Sequence, residues 1–121
     1  MQKNNDLFAY IKLANSVTEE PEATIEQWSV HRATYSDGDV TDHLMGKVIG
    51  KNGRVTSAIK WFSPPERKII TISGRVYSLA GPPGFSTDAE FIWVNWKTKH
   101  DVILDEDMSD EYEKKIRNII N

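Results

Sequence analysis

Three groups of residues in this chain have types and spacings that could do chemistry. Gly50-Lys51-Asn52-Gly53 is a GxxG stretch, a pattern whose glycines let a backbone approach a phosphodiester closely. His31, His43 and His100 stand among many carboxylates, which makes a metal site arithmetically available. Asp105, Asp107 and Ser109 alternate oxygen-bearing side chains as a calcium loop does. The last two groups fail on spacing. The histidines form neither HxxxH nor HExxH, and the acidic run has no glycine at its sixth position and Ile116 at its twelfth. They are read as satisfied or surface histidines, and as a helix cap within a solvated acidic run. Gly81-Pro82-Pro83-Gly84 precedes a helix but lacks P-loop residues, so it is read as a turn. No GxSxG signature occurs, and without cysteine there is neither a thiolate nucleophile nor a disulfide. No catalytic residue, metal or cofactor is expected.

The GxxG stretch, with Leu44, Gly46, Lys47, Val48 and Ile49 before it, resembles the signature of KH domains. That resemblance implies a single-strand nucleic-acid clamp. The residues that follow depart from it. Thr56 stands where the family places an aliphatic residue, and "RVTSAIKWF" is β-branched and aromatic, unsuited to the helix required there. "SAIKWF" in turn resembles the opening strand of cold-shock domains, but "RKIITIS" carries none of the aromatics on which that family stacks bases. The remaining reading is a hairpin. An Asn52-Gly53 type I′ turn would pair Lys51 with Arg54 and Lys47 with Ala58. One face of that ribbon would carry Lys47, Lys51, Arg54 and Lys60, with Phe62 beyond.

The elements that must position these residues follow from periodicity. Leu7, Tyr10, Ile11 and Ala14 predict a helix over 6–15. Residues 24–35, 40–50, 54–62 and 69–73 predict strands, with 75–79 continuing or pairing back. Thr87 with Glu90 reads as a capping box opening a helix over 88–99. Ala89, Ile92, Trp93 and Trp96 line one face of it, and Phe91 and Val94 the other. A helix apolar all round is either deeply buried or half of an interface. Ser109 or Asp110 then caps a last helix whose stripe is Tyr112, Ile116, Ile119 and Ile120. The order predicts one α+β domain over 1–121. It would be an antiparallel β-meander of four to five strands with an N-terminal and two C-terminal helices packed on one face.

Charge is uneven along the chain. Residues 47–75 carry seven basic side chains and one acidic, whereas 1–46 carry three against eight and 76–121 five against nine. Segregated charge steers charged partners. Together with the apolar helix and the missing catalytic signatures, it leads to one functional expectation. That expectation is a small cytoplasmic, non-enzymatic binding or inhibitor module of accessory, immunity or phage type, acting through protein contact. A nucleic-acid-binding module on the 47–60 face ranks second, and a small hydrolase-type enzyme third. The candidate contact residues are Lys47, Lys51, Arg54, Lys60 and Phe62 on the basic ribbon, and Phe91 and Val94 on the helix. A homodimer is the other arrangement such a helix allows. No membrane partner is expected, because no long apolar run occurs.

Overall fold

A computed structural model describes residues 16–120. The helix expected over 6–15 lies outside the described residues. Among the described residues the fold is mixed α+β, with a six-stranded sheet and two helices. In chain order the elements are β1 (Glu22–Tyr35), β2 (Val40–Val48), β3 (Gly53–Ser63), β4 (Lys68–Thr71) and β5 (Val76–Ala80). Helix α1 (Thr87–Lys99), β6 (Val102–Asp107) and α2 (Ser109–Ile120) follow.

Strands β1 to β5 pair each with the next, antiparallel. The expected open, wholly antiparallel meander is corrected by one further pairing: β5 lies parallel to the first half of β1, with Glu22 opposite Val76 and Glu26 opposite Ala80. That ladder closes the five strands into a barrel, and β6 adds antiparallel to the second half of β1. Strand β1 is therefore the spine. It meets β2 along one rim; along the other it meets β5, then the 81–84 turn through Gly84 N–H to Trp28 O, then Met108, then β6.

Such a spine must change course partway, and a bulge makes it do so. Gln27 takes φ 50 between Glu26 and Ser29, so two residues of β1 oppose one of β2. The residue opposite is Gly46. A Cβ there would fall 2.8 Å from Glu26 O and 2.9 Å from Trp28 Cα, so only glycine fits beneath the bulge.

The alternation of side chains along β1 and β2 feeds two cores. Inside the barrel, Ile25, Trp28, Val30, Leu44, Val48, Ile69, Tyr77 and Leu79 pack together, and Ile116 of α2 joins them with Tyr112 and Met108 at its margin. On the outer face, Ala33 and Met45 pack under Ala89 and Trp93 of α1. The two helices thus cover opposite faces of the sheet, which corrects the expectation that they share one. Ile119 and Ile120, expected on the stripe of α2, fall outside the described side chains.

The 47–60 hairpin also differs from its expected register. Lys47 pairs with Gly53 and Met45 with Val55. The turn lies three residues earlier, where Lys51 N–H donates to Val48 O and Gly50 takes φ 81, the left-handed residue of a type II turn. Gly53 is retained for a different reason. Its missing Cβ would stand 2.6 Å from Ala89 N, so the start of α1 sits directly on it.

Candidate protein-interaction face

Helix α1 is built by local signals and held by distant ones. Ser86 caps it, its Oγ accepting from Ala89 N–H at 3.3 Å, with Asp88 and Glu90 in the first turn and Lys97 and Lys99 in the last. The cap is one residue earlier than expected, and Glu90 instead approaches His31, Oε2 to Nε2 at 3.9 Å. The buried face presents Trp93 and Trp96, stacked with ring centres 5.3 Å apart. All three histidines gather around these rings. His31 and His43 are opposed across β1 and β2, each 5.6 Å from Trp93, and His43 and His100 lie 4.6 and 4.4 Å from Trp96.

Asp105 fastens this assembly. Its carboxylate accepts from His31 Nδ1 at 2.7 Å, Trp93 Nε1 at 2.9 Å and Lys97 Nζ at 2.8 Å, joining β1, α1 and β6 through one side chain. Burial pushes the carboxyl up, but the bonds from Lys97, His31 and Trp93 outweigh it and hold Asp105 below the usual carboxylate range. His43 is fixed as firmly. The Thr56 carbonyl can only accept, so Nδ1 carries the proton at 2.9 Å, and Nε2 accepts from Thr41 Oγ1 at 2.8 Å. Tyr35 OH completes the chain 2.6 Å from Thr41 Oγ1. Burial lowers the affinity of His43 for a second proton, and it does the same to His100, against the opposing pull of Asp101.

Chemically, a carboxylate holding the Nδ1 of His31 is the orienting half of a general-base dyad. Here the other ring nitrogen faces Glu90, and all three donors to Asp105 are spent on joining elements. Among the described residues no group of three or more metal-ligating side chains forms a site. The arrangement positions a surface.

That surface is the outer side of α1 with β6. Phe91 and Val94 are 59% and 53% exposed, and Ile103 and Leu104 on the adjoining strand 67% and 49%. A shallow groove of about 330 Å³ runs between helix and strand, lined by Val94, Thr98, Val102, Ile103 and Leu104. Val94, Ile103 and Leu104 border that groove, and Phe91 lies one turn before Val94 on the helix; exposed apolar side chains gathered in this way mark contact sites. The acid run beside it is split in role: Asp105 turns inward, while Glu106 and Asp107 stay exposed.

The basic candidates fare differently. Lys51 and Lys60 are exposed, and Lys47 lies 3.7 Å from Glu26. Arg54 is turned inward, 3.2 Å from Glu20 and 3.4 Å from Tyr77 OH. Phe62 packs on Tyr112, ring centres 4.7 Å apart, at the margin of the barrel core. The single basic face therefore loses Arg54 and its aromatic neighbour.

Sequence reasoning missed the histidine–tryptophan cluster and the inward turn of Asp105. A signal existed for the first: folding the chain about Gly38 brings His31 opposite His43, and His100 stands four residues after Trp96. No local signal marked Asp105 apart from its acidic neighbours.

With fold and face described, comparison leaves the chain without a match among family models, curated proteins or solved structures.

Proposed function

We propose that this protein is a small non-enzymatic binding module that acts through protein–protein contact, with the α1–β6 surface as its contact face. The observation that carries the reading is the exposure of Val94, Ile103 and Leu104 around one groove, with Phe91 one turn earlier on α1, on an edge pinned by Asp105. Apolar side chains on a preorganised support lose little entropy when a partner covers them. The partner that suits the face offers apolar side chains for the groove and positive charge for Glu106 and Asp107. An inhibitor or accessory role fits such a face, since blocking or tethering a partner needs contact and no chemistry.

The test pairs two variants with one partner. The partner is first isolated with the wild-type chain, purified, and its affinity measured by calorimetry. Phe91→Asp combined with Val94→Asp weakens binding by about a hundredfold or more while leaving the fold intact, as expected for central contact residues. Lys51→Glu combined with Lys60→Glu changes it little. Affinity unchanged by the first pair and lost with the second would refute the reading and move the contact to the 47–60 hairpin.

A further inference from the structure

We infer that the partner joins this protein by adding a strand to the open rim of β6, and that the added segment is basic and β-branched. The inference rests on the contact face proposed above and names how that face is used. Barrel closure gives each of β2 to β5 a strand on either side, because β2 meets β1 and β3, and β5 meets β4 and β1. Among the described residues β6 pairs with β1 alone, so its outer rim has no strand beside it along any of its length, whereas β3 is covered in part on each side. Open rims template the pairing of another chain.

The direction of the free groups follows from one bond. Met108 N–H donates to Val30 O at 2.7 Å, and Val30 pairs in the same antiparallel register that sets His31 opposite Asp107. Backbone groups alternate in direction along such a ladder. Counting back from Met108, those of Asp107 and Asp105 point away from β1. The groove between α1 and β6 then receives side chains of an added strand on the same side as Val94.

Charge selects what that strand carries. From Asp101 to Glu113 the chain has seven acidic residues and no basic one. Glu106, Asp107, Asp110 and Glu111 are exposed, and Lys97 is already bonded to Asp105. A second copy of this chain would set acidic rim against acidic rim, and like charges across strands are destabilising. A segment with Lys or Arg between apolar residues meets both the acidic rim and the groove.

Selection from a displayed library of random peptides against the full chain tests this. Selected peptides are expected to be rich in Lys, Arg and β-branched residues and free of central proline. N-methylation of the tightest peptide, one residue at a time, should weaken binding at alternate residues only, by about tenfold or more, because every second amide of a strand faces its neighbour. Glu106→Lys with Glu111→Lys should weaken it severalfold and flatten its salt dependence. Acidic or neutral selected peptides, an N-methyl profile without period two, an empty selection, or a chain already dimeric through β6 would each overturn strand addition. The broader contact reading fails separately, when Phe91→Asp with Val94→Asp leaves binding to the isolated partner unchanged.

Discussion

The barrel and the α1–β6 wing share strand β1 yet end in opposite conditions. In the barrel the hydrogen-bond ladder closes on itself, and Trp28, Ile25, Val30, Leu44 and Ile69 are completely buried. In the wing, Trp93 is as buried as any of these, but β6 has one open rim and the outer side of α1 exposes Phe91 and Val94. One region closes its backbone ladder on itself and buries its largest side chains, although Trp61 of β3 and Ile72 after β4 stay exposed. The other is pinned from beneath by Asp105 and left unfinished outside. The contrast teaches that rigidity and openness are separable here. The Asp105 hub holds the wing still, so its exposed side chains form a surface in place of being drawn into the core.

Substitutions should break the two regions differently. The largest effect is expected for Trp28→Ala, which empties the barrel and removes the indole bond to Gly81 O, costing about 3–5 kcal/mol by denaturant unfolding. Phe91→Ala in the wing should stay within about 0.5 kcal/mol, as for an exposed site. If the two cost the same, the division into barrel and wing is wrong. Gly46→Ala comes next, since its Cβ would strike backbone on β1 and force the bulge apart, at about 1–3 kcal/mol.

Asp105→Asn keeps the shape but removes the charge that Lys97 and His31 share, for about 1.5–3 kcal/mol. It should also loosen the wing without opening the barrel, visible as faster amide exchange confined to α1 and β6. Because the folded carboxyl is held below its ordinary value, this contribution is present above about pH 4 and is lost as pH falls through the folded value.

The smallest effect is the acid response of the histidines. His43 and His100 are both held below their ordinary values by burial, so below about pH 6.5 the unfolded chain binds more protons than the folded one. Stability should therefore fall as pH drops below that point, by at most about 1.4 kcal/mol per pH unit for the buried His43 and by less for the more exposed His100. Melting curves between neutral and mildly acidic pH check this. His43→Gln should flatten the dependence, and a response unchanged in that variant would mean the cluster does not carry it.

How far the sequence made this contrast legible depended on the range of the forces involved. Strand β1, the last turn of α1 and the start of α2 follow from β-branched runs, caps and helical period, and all were readable within a few residues. Barrel closure was not, because the parallel ladder of Glu22–Glu26 with Val76–Ala80 depends on a bulge at Gln27 that no local pattern announces. Strand β6 was hidden by composition: "DED" suggests solvent, and only the tertiary placement of His31, Trp93 and Lys97 gives Asp105 reason to turn inward. The exposed pair Phe91 and Val94 was legible because a helix apolar on both sides must leave one side over. The basic ribbon was misplaced by a single choice of turn. Moving the turn from Asn52-Gly53 to Ile49-Gly50 shifts the pairs nearest it by five residues, which carries Arg54 to the opposite face, while the irregularity between His43 and Met45 restores the expected parity at Ala58.

The central claim is that the barrel supplies stability and the wing supplies contact. Amide hydrogen exchange of the full chain, alone and saturated with its isolated partner, tests it most directly. The account predicts that the partner slows exchange in β6 and along α1 and leaves the 47–60 hairpin unchanged. Protection appearing in the hairpin, with β6 and α1 untouched, would contradict it.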